Sequence, residues 1–228
     1  MKKVYALLFP LLFGPLVAYA QEETPSFRFG LKVAPNLGFI KSDVKELKSD
    51  GSRLGFTFGL MGDFMFGTDR RYAFSTGLLL NNVGGKTSYT VGGTNLSAEN
   101  KYQYVELPLT LKLMTKEIGY ITYFGQIGFG AAFNIAAKSD YDTFDMSGKV
   151  VRLTDEDIMD NTDLFKASLI LGAGLHYNFS GNTSLLVGVT YNNGFTNILK
   201  DQEITVGTDK KELKAKQNYL ELTLGVFF

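Results

Sequence analysis

His176 is the only imidazole in this 228-residue chain, so it is the one side chain suited to general acid–base work near neutral pH. It stands about three residues before a short turn, with no serine or cysteine nucleophile and no orienting acid evident beside it. That setting predicts a hydrogen-bonding residue rather than a catalytic one. Gly172-Ala173-Gly174 follows an apolar run and imitates the start of a dinucleotide fingerprint. The third glycine position holds Tyr177 and a turn follows where a helix is needed, so no nucleotide cofactor is assigned. Residues 136–164 hold Asp140, Asp142, Asp145, Asp155, Glu156, Asp157, Asp160 and Asp163 against Lys149 and Arg152. Acids of this kind can hold Ca²⁺, but the loop lacks the spacing and glycine turn of such sites. It reads as a solvated acidic surface, and no metal is assigned. The remaining polar residues with a pattern are Arg28, Lys32, Asp63, Glu106, Lys112, Gln126, Lys166, His176 and Glu221, each within an otherwise apolar, alternating stretch.

The elements that place these residues are extended. The last one, 219–228, sets the pattern. Leu220, Leu222, Leu224, Val226 and Phe228 fall on one side of a strand, with Tyr219, Glu221, Thr223, Gly225 and Phe227 on the other. The same period of two recurs over 27–36, 54–66, 72–83, 102–114, 120–135, 165–177 and 184–193, which makes eight strands. Tight connections at 67–71, 115–119 and 180–183 alternate with long ones at 37–52, 84–101, 136–164 and 194–218. Val91-Gly92-Gly93-Thr94 and Gly207-Thr208-Asp209 read as hairpin tips inside long connections. Thr154-Asp155-Glu156-Asp157 resembles a helix-capping box and predicts a short helix over 155–159. Pro108 removes one ladder donor, which a bulge or a local break must absorb.

Composition narrows the class. Formal net charge is zero and no basic stripe is present, so nucleic acid is not an expected partner. The absence of Cys excludes disulfides and thiolate metal sites. Lys2 and Lys3, the apolar run 4–17 and Ala18-Tyr19-Ala20 read as a secretory signal over 1–20, cut before Gln21. A short segment 21–26 then precedes a strand domain over 27–228.

One face of most strands is almost purely Leu, Val, Ile and Phe. The other carries small residues and the scattered charges named above. A soluble ligand-binding barrel would place its apolar face inside. This pattern instead predicts an all-β, eight-stranded antiparallel up-and-down transmembrane barrel with an apolar lipid face and a polar lumen. Short turns face the periplasm and the four long loops face outside. A lumen of eight strands is only wide enough for its own side chains. Its charges are therefore expected to pair: Asp63 and Lys112 at about the same height, and Glu106, Glu221 and Lys32 as a cluster near mid-barrel, with Glu106 coupled to Lys32.

Phe29-Gly30-Leu31-Lys32-Val33-Ala34-Pro35-Asn36 resembles the opening strand of the PorT-like outer-membrane barrels of Bacteroidetes, small eight-stranded barrels of the OmpX/OmpA type. Tyr104-Val105-Glu106-Leu107-Pro108-Leu109-Thr110-Leu111-Lys112 is similar to that family's most recognisable strand. Gly125 to Gly130 and Tyr191 to Asn197 fit as well. The resemblance implies a non-enzymatic outer-membrane barrel, structural or partner-binding through its extracellular loops. For a minority of members it implies an accessory role in a protein-secretion or gliding system; an outer-membrane enzyme is the third reading. The partners expected are outer-membrane lipid and lipopolysaccharide, the assembly machinery through the C-terminal strand, and a protein at the loops.

Overall fold

A computed structural model describes residues 27–43, 47–91, 93–180, 183–200, 203–206 and 209–228. The targeting segment and residues 21–26 lie outside the described residues, as does the 207–208 tip. The strands are β1 (Phe27–Ser42), β2 (Leu47–Phe66), β3 (Tyr72–Val91), β4 (Thr94–Met114), β5 (Ile121–Phe144), β6 (Val150–Asp157), β7 (Phe165–Ser180), β8 (Thr183–Gly194), β9 (Glu203–Val206), β10 (Asp209–Glu212) and β11 (Ala215–Phe227). Eight of them close a ring in the order β1-β2-β3-β4-β5-β7-β8-β11, every neighbour antiparallel. β11 returns to β1 from Ser42↔Ala215 down to Gly30↔Phe227, which removes the open edge that lipid does not tolerate.

The alternation fixes the two surfaces. Phe29, Leu31 and Val33 on β1, Phe58 and Leu60 on β2, and Leu107, Leu109 and Leu111 on β4 stand exposed on the outside. Leu220, Leu222, Leu224 and Phe228 continue that apolar band at the closing strand, with Val226 half-buried. The inward positions between them are buried and polar or small. Glycine has a steric reason at the bottom of the lumen: a Cβ on Gly30 would lie 2.6 Å from the Val226 carbonyl oxygen, and one on Gly225 2.9 Å from that of Leu31.

Pro108 is absorbed by a local break rather than a bulge. The β3–β4 register passes from Thr76↔Leu109 to Leu79↔Glu106 with the two pairs between them missing. Pro35 does the same to the seam, where β1–β11 passes from Val33↔Leu224 to Asn36↔Glu221. In both cases the count is equal on the two strands, so the inside–outside alternation survives.

The long connections differ from expectation. Most of 37–52 and 84–101 is strand: β1 reaches Ser42, β2 begins at Leu47, and β3 and β4 pair as far as Val91↔Thr94. β5 runs on to Phe144 and is met there by β6. The helix expected over 155–159 is absent. Asp155 lies within β6 at φ 56, where the register against β5 is irregular, and only a single 3-10 turn forms at Met159–Asn161. The capping signal loses because the Asp155 N–H donates to the Asp140 carboxylate on β5 at 2.8 Å. β9 and β10 pair as a separate two-stranded hairpin flanking the expected tip.

Candidate functional site

The lumen is built in three layers. The lowest, at the short-turn end, centres on Asp63 of β2. Its neighbours in register are Arg28 on β1 and Ser75 on β3. Arg28 Nη2 donates to Asp63 Oδ2 at 3.1 Å, Lys112 Nζ donates to both Asp63 oxygens at 2.8–2.9 Å, and the Ser75 hydroxyl completes the shell. One carboxylate thus faces two cations, and the excess positive charge rests on ring faces. Arg28 lies 4.9 Å and Lys112 5.2 Å from the Phe227 centroid, and Lys112 lies 5.1 Å from that of Phe124. His176 lies between the same two rings, with centroids at 5.1 and 5.5 Å and planes tilted by 48° and 50°. Neither of its nitrogens has a hydrogen-bond partner, contrary to the role expected of it. Two tilted aromatic rings flank the imidazole.

The middle layer holds two acids in different ways. Glu221 is salt-bridged to Lys32 and accepts the Thr223 hydroxyl at 3.1 Å. Glu106 has no cation within salt-bridge reach among the described residues. It accepts instead from Asn81 Nδ2 and Asn192 Nδ2 at 3.1 Å each and from the Tyr219 hydroxyl at 3.0–3.1 Å. The expected Glu106–Lys32 coupling is therefore corrected: Lys32 is taken by Glu221, and neutral donors solvate Glu106. Lys166 was expected to find an acid. Its ammonium instead sits 5.0 Å from the ring centroids of both Tyr104 and Tyr219 with no hydrogen-bond acceptor. Gln126 borders what space remains, a lumen cavity of about 70 Å³ also bounded by Lys32, Glu106, Lys112 and Glu221. That is room for a few waters, not a conduit.

The top layer is an apolar plug. Ile40, Val83, Tyr102, Tyr104, Ala132, Ala137, Ile198, Ala215 and Tyr219 form one buried cluster, against which Ile158, Met159 and Leu199 pack. The connections after β6 and β8 reach across the mouth to supply Ile158, Met159, Ile198 and Leu199. They are stitched together by Asp163 N–H to the Ile198 carbonyl at 3.0 Å, Lys200 N–H to Asn161 at 3.1 Å and the Thr162↔Leu199 bridge. Asn197 fastens this cap to the wall. Its amide donates to the carbonyls of Leu199 and Leu213, and its oxygen accepts from the N–H groups of Leu199 and Ala215. The tyrosines and asparagines of these layers occupy inward positions of strands with a Leu or Val outer face. Period-two counting reaches them, but charge, the signal used to select lumen residues, passes over them.

Above the apolar band the outer face of the β4–β5–β6 wall carries a charge cluster. Lys101 Nζ lies 2.8 Å from Asp140 and 3.1 Å from Asp155. Asp142 accepts from the Ser97 N–H at 3.0 Å and hydroxyl at 2.7 Å and pairs with Arg152 at 3.0 Å. The hydrogen bond from Lys101 holds the Asp140 carboxyl below its usual range, the Ser97 hydroxyl does the same for Asp142, and Asp140 raises Lys101. Asp140, Asp142 and Asp155 are thus engaged by neighbours, and among the described residues no three His, Cys, Asp or Glu converge as metal ligands.

Residues 19–200 match the family model described as the outer membrane protein beta-barrel domain. No curated protein matches the chain. Among solved structures, OprG from Pseudomonas aeruginosa is similar at 13% identity, over 90% of this chain and 97% of that one, with a TM-score of 0.49. Neisserial surface protein A is similar at 14% identity, over 87% and 95%, with a TM-score of 0.42. Ail, the attachment invasion locus protein of Yersinia pestis, is similar at 17% identity, over 88% and 98%, with a TM-score of 0.37.

Proposed function

Since the chain belongs to the outer membrane protein beta-barrel domain family, we propose that it is a non-enzymatic, side-chain-filled barrel that works by presenting its extracellular hairpins to a protein partner. One observation carries this reading. The lumen is closed by its own side chains while the wall continues past the apolar band, with about nine residues of β3, β4 and β5, or roughly 30 Å, standing clear of it. A closed lumen offers no passage, and the hairpins are the part that extends far enough to meet a protein partner. Their free edge is β6, which pairs with β5 on one side only.

Within the family we assign the chain to the PorT-like barrels of Bacteroidetes on the stretch from Tyr104 to Lys112. In this reading the protein is exported by a signal cut before Gln21 and inserted by the assembly machinery through β11. Lipid and lipopolysaccharide surround its apolar band. Two measurements test the proposal. Purified barrel in a planar bilayer should give no ohmic conductance, and affinity purification from native envelope should recover a protein partner that is lost when the β3–β4 tip is shortened. Steady conductance through the intact barrel would overturn the filled-lumen reading. A partner that still binds the shortened hairpin would overturn the role of that tip.

A further inference from the structure

The short-turn end of the barrel opens into a recess of about 370 Å³ whose charge is unbalanced. Arg28, Arg70, Arg71 and Lys116 line it against only two acids, Asp69 and Glu117. Both acids are already engaged: Asp69 pairs with Arg71 at 3.0 Å, and Glu117 accepts from the Asn178 amide at 2.8 Å. The one carboxylate behind them, Asp63, is shared by Arg28 and Lys112.

Donors in this recess are left unspent. The Nε groups of Arg28 and Arg71 have no hydrogen-bond partner, and neither does either nitrogen of His176, which is 1% exposed and borders the recess from the lumen side. The backbone adds an independent sign. Arg70 holds a left-handed φ of 50° in the turn after β2, fixed by its N–H donating to the Gly67 carbonyl at 3.0 Å. Glycine is the unstrained residue for that conformation, whereas an arginine there is strained. That strained position sets a long cation at the rim of the cationic recess.

We propose that this recess binds a phosphate-class oxyanion from the periplasmic side, either free phosphate or the head group of an inner-leaflet lipid. Arg70 and Arg71 supply the outer donors, and Arg28 and His176 the inner ones. A phosphate offers oxygens in several directions and a charge of one to two, which suits donors spread around a site of net charge about two; a carboxylate presents one edge only. This inference rests on the family's orientation in the membrane, with short turns at the periplasm, and is independent of any extracellular partner.

The test uses the full mature barrel in phosphate-free detergent micelles, with amide shifts of the 67–71 turn as the readout. Inorganic phosphate is one probe and short-chain phosphatidylglycerol the other, each against chloride at equal ionic strength. The variant Arg70→Gly suits the left-handed turn, so it keeps the fold, which heat-modifiable gel migration verifies. At least one probe should saturate, and its affinity should fall about tenfold or more in Arg70→Gly, the loss of one charge-assisted hydrogen bond. Saturation by phosphatidylglycerol alone identifies a lipid head group, and saturation by inorganic phosphate identifies a free-anion site. If neither probe saturates, or if Arg70→Gly binds as tightly as the parent, the proposal fails.

Discussion

At the scale of residues, the lumen separates two ways of burying a carboxylate. Glu221 is held by a cation, and Glu106 by two amides and a phenol. Both are buried, yet mutation should tell them apart. Removing one member of a buried ion pair leaves the other charge uncompensated, at about 3–5 kcal/mol. A double-mutant cycle on Lys32→Met and Glu221→Gln should therefore give a coupling energy well above about 1 kcal/mol, read from urea unfolding in micelles. The same cycle on Lys32→Met and Glu106→Gln should be additive within about 0.5 kcal/mol. Strong coupling in the second cycle would mean that Lys32 is shared between the acids. Sequence reading chose the lumen charges from their place on the small-residue face. It set Asp63 level with Lys112 and Lys32 near Glu221, as the ion pairs have it, but gave Glu106 the wrong partner, because facing distance across a barrel depends on strand stagger, which no single strand encodes. Lys166 shows the same gap: nothing in its own stretch indicates that two tyrosines from β4 and β11 enclose its ammonium.

At the scale of elements, legibility follows lipid. Where a strand crosses the membrane, one face must be apolar, and Leu107, Leu109 and Leu111 announce β4 without ambiguity. Above the membrane that demand ends. Thr87-Ser88-Tyr89-Thr90 carries no alternation of hydrophobicity, so it reads as loop although it pairs with β4 throughout. β6 reads as a helix start for a related reason: Asp155 bonds to Lys101 of β4 and Asp140 of β5, and only Asp157 serves a turn, accepting from the Met159 N–H at 2.8 Å. The acids of β5 that face β6 make the wall's charge cluster measurable. Asp140 and Asp142 titrate below their unfolded value near 3.8, so their stabilisation is complete above that pH and is lost as pH falls through the folded value. Lys101 is raised above 10.5, so its contribution is complete below that pH and is lost only above it. The Ser97 and Asp155 N–H groups donate to these two carboxylates and report on them directly. Their amide shifts should stay flat from about pH 5 to 9 and move with midpoints below 3.8. Midpoints at or above the ordinary carboxylate value would show that Lys101, Ser97 and Arg152 do not engage these acids.

At the scale of the whole molecule, the even count of strands and the alternation of short and long connections made the closed ring legible. The seam between β1 and β11 is where that ring can be tested. Residues 224–227 pair with Gly30 to Val33 on one side and Ser184 to Val187 on the other, and the Phe228 N–H donates to the Phe29 carbonyl at 2.8 Å. Deleting 224–228 strips partners from both flanking strands within the bilayer, where each unsatisfied backbone group costs several kcal/mol. No heat-modifiable, membrane-inserted protein should form. Phe227→Ala separates closure from packing. It keeps every ladder bond but removes the ring that Arg28, Lys112 and His176 rest against. That variant should insert and run as a folded band, with unfolding stability lower by about 3–5 kcal/mol. If the truncated chain inserts as well as Phe227→Ala does, β11 does not close the barrel, and the seam lies elsewhere.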